Sequence, residues 1–143
     1  MTHTQQLRLV RAAQAAASNA YAPFSKFKVG AAVLTNRGHT YTGCNIENSS
    51  YGLTICAERA AIFAMVSAGE RRIAAIAVFA RPPRSTIGAR QSSISSLTPP
   101  CGACLQVINE FGDNPEIVLS DGRRTETLRL RDLLPRGFRL KPS

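Results

Sequence analysis

Two short segments of this chain concentrate residues that can hold a metal and move a proton. The first is Cys56-Ala57-Glu58-Arg59, and the second is Pro100-Cys101-Gly102-Ala103-Cys104. Three thiolates can hold zinc and leave the fourth tetrahedral position open for water. Cys101 and Cys104 are three residues apart, so on a helix both face the same way. Helix N-termini carry partial positive charge, which favours the thiolate form of a cysteine placed there. A lone Cys-x-x-Cys pair is weak information. A closed structural zinc site would need a second ligand pair, which the sequence does not offer. A redox pair of the thioredoxin kind would leave Glu58 without a role. The two segments together, each at the start of a helix, are much more specific.

Both segments depend on elements that can bring them together. Gln5 to about Asn19 reads as a helix with Leu7, Val10 and several alanines as its packing face, and Ala22-Pro23 stops it. Residues 27–34 and 39–46 read as strands joined by the turn Thr35-Asn36-Arg37-Gly38. Cys56 to about Ala68 is a helix, with Ala60, Phe63, Ala64 and Ser67 at helical spacing and Gly69 as its stop. Residues 73–80 form a near-continuous apolar run, which suits a central strand covered on both faces. Residues 101–111 read as a further helix, with Pro100 before it and Gly112 after it. Residues 116–120 and 125–130 read as strands linked by a hairpin at Asp121-Gly122, and a short Leu133-Leu134 element with a basic tail closes the chain. This order predicts an α/β fold: a three-layer α/β/α domain with a five-stranded mixed sheet. One domain is expected over 1–143. The stretch from Arg81 to Pro99, rich in Ser, Pro and Arg, breaks the pattern and reads as a loop insertion at 81–99.

The chain has 143 residues, of which 44% are hydrophobic, enough for one real core. A net charge of +9 raises the question of a nucleic-acid partner. The charge is clustered, however. Seven of the 18 basic residues lie between Arg123 and Lys141, and Arg81, Arg84 and Arg90 share the 81–99 stretch. That distribution suits a solvated surface or an interface better than a polynucleotide groove. The N-terminus has no apolar run of signal or membrane length, so a cytoplasmic protein without membrane association is expected. Four cysteines in such a chain fit reduced thiols or metal ligands rather than disulfides.

These residues resemble the cytidine deaminase family, in its small, homotetrameric, three-cysteine branch. Tyr21-Ala22-Pro23-Phe24-Ser25-Lys26-Phe27-Lys28-Val29-Gly30-Ala31-Ala32 looks like the family's first strand and its lead-in. Gly43-Cys44-Asn45-Ile46-Glu47-Asn48 is similar to its ribose-binding segment, and the Cys-x-Glu and Pro-Cys-x-x-Cys segments follow in the same order. Leu133-Leu134-Pro135 with Phe138 resembles its C-terminal segment. Leu105 departs from the pattern, standing where the family commonly carries Arg, which bears on a helix-face or subunit contact more than on the chemistry.

The resemblance implies one Zn²⁺ per chain, held by Cys56, Cys101 and Cys104. It implies that Glu58 is the proton shuttle and Arg59 a donor to ligand sulfur that restores acidity to an electron-rich metal. Phe27 corresponds to the aromatic that packs on the pyrimidine. Asn45 and Glu47 correspond to the ribose ligands, and the Ala57 N–H to a donor toward the 2-oxo group. Tyr51 and Phe138 correspond to residues that enter a neighbouring subunit's site, and Cys44 to a buried non-ligand cysteine. His3 and His39 look peripheral. The implied reaction is hydrolytic deamination of free cytidine and 2′-deoxycytidine. Two other readings compete with it: a deaminase of a different cytosine-containing substrate, and a non-catalytic zinc-stabilised binding module. The module would need a closed fourth position and no Glu58. A polynucleotide would place a phosphate against Glu47.

Overall fold

The computed structural model describes residues 1–81 and 97–142. Arg84, Arg90 and most of the expected insertion at 81–99 lie outside the described residues. The chain opens with α1 (His3–Ala17), which begins behind Thr2. The Thr2 hydroxyl accepts from the Gln5 N–H and the Gln5 side chain accepts from the Thr2 N–H, so two donors at the helix start are satisfied reciprocally. Next come β1 (Val29–Thr35) and β2 (Thr40–Cys44), then α2 (Ala57–Ser67) and β3 (Ile73–Ala80). They are followed by α3 (Gly102–Phe111), β4 (Gly112–Ser120), β5 (Thr125–Arg129) and a single turn, α4 (Leu130–Leu133). The five strands form one sheet in the order β2-β1-β3-β4-β5. Only β3 and β4 run parallel, as the intervening α3 crossover requires, and the other pairs are antiparallel.

The apolar run of β3 is explained by its position as the third of five strands. Ala75, Ala77 and Phe79 face α1, where they meet Leu9, Ala13 and Ala17. Ile76 and Val78 face the opposite layer, made by Ala57, Ala61, Ile62 and Met65 of α2 with Leu105 and Ile108 of α3. The expected three layers are therefore present. The helices lie very close to the sheet at two glycines. A Cβ on Gly30 would stand 1.9 Å from the Ala13 carbonyl oxygen, and one on Gly43 would stand 2.4 Å from the Ala61 nitrogen. No larger residue fits there without moving a helix.

Four sequence expectations are corrected. On α2 the buried face is Ala57, Ala61, Ile62 and Met65, while Phe63 is 47% exposed and Ala64 and Ser67 face solvent. The long aliphatic side chains, not the aromatic one, fill the space against the sheet. On α1 the buried residues are Leu9, Ala13 and Ala17, Val10 is half-buried, and Leu7 is exposed. Leu105 is a core residue, packed between α3 and the sheet. The strand expected from Glu116 starts four residues earlier, because Gly112 pairs with Ile73 before the register shifts and Glu116 meets Ala75. Asn114, at φ 52°, takes up that bulge.

Behind the β1–β2 turn, Glu70 is a buried acid that the sequence did not single out. Its Oε2 accepts from the Tyr41 hydroxyl at 2.6 Å and lies 2.8 Å from His39 Nδ1. The Tyr41 hydrogen bond, above all, pushes the Glu70 carboxyl down to about 2. A carboxyl depressed in the folded state adds stability that is complete above the ordinary carboxylate range and is lost as pH falls toward the folded value. Tyr41→Phe should therefore lower the melting temperature at pH 7, and the gap to the parent should narrow between about pH 4.5 and pH 2. Thermal unfolding of both proteins across that range measures it; a gap that is independent of pH would contradict it.

Candidate active site

The helix starts predicted for the two cysteine segments meet at one end of β3. Cys56 is the N-cap of α2 and Cys101 the N-cap of α3. The sulfurs of Cys56, Cys101 and Cys104 all lie within 4.8 Å of one another. All four cysteines are free thiols, and Cys44 is half-buried on β2 rather than fully enclosed. Two sulfurs held about 2.3 Å from one ion at a tetrahedral angle stand about 3.8 Å apart, and the Cys56–Cys101 pair is at 3.8 Å.

The surroundings also fit a metal-thiolate group. Cys101 Sγ accepts from the Cys104 N–H at 3.5 Å. Arg59 Nη2 donates to Cys56 Sγ at 3.4 Å, and Arg59 Nε is buried without a partner beside the same sulfurs. Donation from Cys104 and from Arg59 pulls the Cys56 thiol down to about 5. Cys104 moves in the opposite direction because it is the donor in that pair. Even without an ion, then, the trio forms its first thiolate readily, which is what a soft cation requires of its ligands. Three cysteines are positioned to bind one Zn²⁺ per chain.

Glu58 follows in the first turn of α2 and is only 4% exposed. Burial, reinforced by negative charge on Cys56, pushes its carboxyl up to about 7. It lines a cavity of about 330 Å³ together with Cys56, Cys101 and Ala57. Phe27, Asn45 and Glu47 line the same cavity from the β1 lead-in and the segment after β2. The segment after β2 is held by Ile46, which exchanges backbone hydrogen bonds with Ile55 just before Cys56.

The polar residues on that wall are already engaged. The Asn45 side chain accepts from the Val29 N–H at 2.9 Å and donates to the Phe27 carbonyl at 2.7 Å. It thus fixes the backbone that carries Phe27, and one amide hydrogen remains for a ligand. Glu47 accepts from the Phe24 N–H at 2.9 Å, the Ser25 N–H at 3.2 Å and the Ser25 hydroxyl. Tyr51 lies outside this cavity, in an adjoining hollow, where its ring meets Phe24 edge-on at 5.7 Å. Phe138 is apart from the cavity of its own chain and 67% exposed, its carbonyl accepting from Gln106 and Asn109. His39 is peripheral, as expected, with its ring 60% exposed. Ser25, Thr54 and Val78 also line the cavity without having been given a site role, and Thr98 and Pro99 line it from the end of the 81–99 stretch, which sequence reasoning places near the mouth of the site. Ser25 carried a signal as part of the lead-in to β1.

A three-layer α/β/α fold that gathers three thiols and a buried acid at two helix N-termini can hold a zinc ion beside a proton-transfer group. The family described as the cytidine and deoxycytidylate deaminase zinc-binding region matches residues 3–120. A cytidine deaminase of Sporosarcina psychrophila is 43% identical over 133 residues, covering 92% of this chain and 89% of its own length. One from Mycobacterium tuberculosis is 42% identical over 125 residues, covering 87% and 83%. The crystal structure of a Burkholderia pseudomallei cytidine deaminase, 44% identical, superposes with a TM-score of 0.80 over 96% of this chain and 100% of that one. This chain belongs to the cytidine and deoxycytidylate deaminase family.

Replacing Cys101 or Cys104 by Ser should reduce bound zinc from about one per chain to a small fraction, since two thiolates leave the ion half-coordinated. Elemental analysis after gel filtration checks it. Full zinc retention in both variants would remove these residues from the ligand set.

Proposed function

We propose that the chain catalyses hydrolytic deamination of free cytidine and 2′-deoxycytidine to uridine and 2′-deoxyuridine, releasing ammonia, as a step of pyrimidine salvage. The observation that carries this reading is the buried Glu58 carboxyl, which shares one small cavity with Cys56 and Cys101. A merely structural zinc site has no use for an acid there. Zinc held by Cys56, Cys101 and Cys104 supplies Lewis acidity that makes water a competent nucleophile near neutral pH. Glu58 accepts a proton from the attacking water and delivers it to N3 of the cytosine, then takes the second proton from the new C4 hydroxyl and delivers it to the amine. C4 gains the oxygen and ammonia departs. A carboxyl raised to about 7 is suited to both directions of transfer at neutral pH. Arg59 draws electron density from Cys56 sulfur and so offsets the charge of three thiolates. Phe27 flanks the base, Asn45 and Glu47 bind the ribose, and the Ala57 N–H at the start of α2 faces the 2-oxo group. A negative Glu47 in the cavity favours a free 3′-hydroxyl over a phosphate and so a nucleoside over a polynucleotide.

Glu58→Gln tests the chemistry directly. Ammonia release and the fall in near-ultraviolet absorbance with cytidine should drop by about 10³-fold or more, with zinc content unchanged. Turnover near the parent level would end the role of Glu58. A parent protein that holds zinc but does not turn over cytidine would move the substrate to another cytosine compound.

The assembly we infer is a homotetramer with shared active sites. It is supported by exposed apolar side chains around the cavity mouth, Phe24, Ile46, Tyr51 and Leu53, and by the exposed Phe138. A single domain over 1–143 is supported by one sheet that takes strands from both halves of the chain. A cytoplasmic location is supported by four cysteines kept as thiols. Among the described residues, no helix is long and apolar enough to cross a membrane. Light scattering at micromolar concentration should give four times the chain mass; a monomer would refute the shared-site assembly.

A further inference from the structure

We propose that Ser25 is a positioning residue for ribose recognition, holding the sugar-binding carboxylate and the base-flanking aromatic in one fixed relation. The inference rests on the nucleoside reading of Glu47 and Phe27 given above. Ser25 supplies two of the three donors on Glu47: its N–H to Oε1 and its hydroxyl to Oε2, with the Phe24 N–H as the third. A carboxylate offers about four acceptor positions, so the three donors leave one, on Oε2, for a substrate hydroxyl. The Ser25 hydroxyl has a second partner. Its oxygen accepts from the Phe27 N–H at 3.0 Å. With that lone pair occupied and its single hydrogen on Glu47, the hydroxyl cannot rotate to another partner without breaking a bond.

One side chain therefore ties the backbone of Phe27 to the carboxylate of Glu47. The far side of the Phe27 peptide is held separately, by Asn45 on the Phe27 carbonyl. The local chain has an unusual shape for this purpose. Lys26 sits at φ 58°, a left-handed conformation uncommon for a residue with a Cβ, between Ser25 and the Phe27 N–H that turns back to the Ser25 hydroxyl. The Ser25 hydrogen bond is also the largest influence that lowers the Glu47 carboxyl below its ordinary range. Glu47 thus stays an acceptor-only carboxylate, as hydroxyl recognition requires. Ser25 is itself exposed, so removing its oxygen leaves no cavity in the core.

The test compares the zinc-loaded parent, Ser25→Ala and Ser25→Thr with cytidine and with 2′,3′-dideoxycytidine, which lacks the sugar hydroxyl that Glu47 would accept. Ser25→Ala should raise KM for cytidine about tenfold, with a smaller change in kcat, because a hydrogen bond to a charged group is lost. KM for the dideoxynucleoside should change by less than about twofold, since that substrate gains nothing from a well-placed Glu47. Ser25→Thr keeps the hydroxyl and should bring back most of the preference for cytidine. In parallel, carboxyl-carbon NMR titration of Glu47 should show a higher midpoint in Ser25→Ala than in the parent. Equal loss with both substrates, or an unchanged Glu47 midpoint, would overturn the positioning role while leaving the deaminase reading intact. A parent protein inactive on cytidine would overturn both.

Discussion

The meeting of two helix N-termini is the constraint on which the rest of the molecule depends. Cys56 and Cys101 cap α2 and α3, and their sulfurs stand 3.8 Å apart. The two helices contribute partial positive charge where three sulfurs gather, so thiolate is favoured before any ion arrives. Their convergence is set by the sheet. Gly43 admits the backbone of α2 at Ala57 and Ala61 directly against β2, and a side chain there would push the helix, with Cys56 at its head, off its place. The parallel β3–β4 pair sets the position of α3, because the chain must cross over between the two strands.

Electrostatics at this point are concentrated and opposed. Three thiolates and a divalent ion carry a net negative charge, Glu58 adds a buried acid, and Arg59 is the cation that faces them. Burial is what separates Glu58 from an ordinary helix-start glutamate. In water such a residue would stay ionised and simply favour the helix dipole. Beneath the cavity, with a cysteine thiolate beside it, the same carboxyl holds its proton to about neutral pH. Seven of the chain's 18 basic residues lie in the C-terminal stretch, where Arg139 donates to backbone carbonyls at the end of α3 and Arg129 pairs with Glu116.

Substrate recognition is built from irregular backbone. The β1 lead-in and the segment after β2 form one wall of the cavity and are hydrogen-bonded directly to each other. Asn45 holds Phe27 and Val29, and Ser25 and Phe24 hold Glu47. Such a wall loses little freedom when a ligand arrives, because its side chains are already ordered.

The chemistry was legible in the sequence because it is local. Cys-x-Glu and Cys-x-x-Cys place their groups within one helical turn, and helix geometry converts spacing into direction without help from the rest of the chain. The five strands and three long helices were legible for the same reason, since Ile73–Ala80 or Ala57–Ser67 announces itself by run or period. Which face each helix buries was not. Phe63 has the right spacing and more apolar area than Ala61, yet Ala61 is buried and Phe63 is not, because the stripe of Ala57, Ala61, Ile62 and Met65 turns to the sheet and leaves Phe63 on the other side of the helix. The sequence determined which residues can bind zinc and move protons. Only the tertiary structure brought Cys56 to Cys101 across a separation of 45 positions, buried Glu58 and turned Ser25 toward Glu47, because those distances are set by packing between elements and not by spacing along the chain.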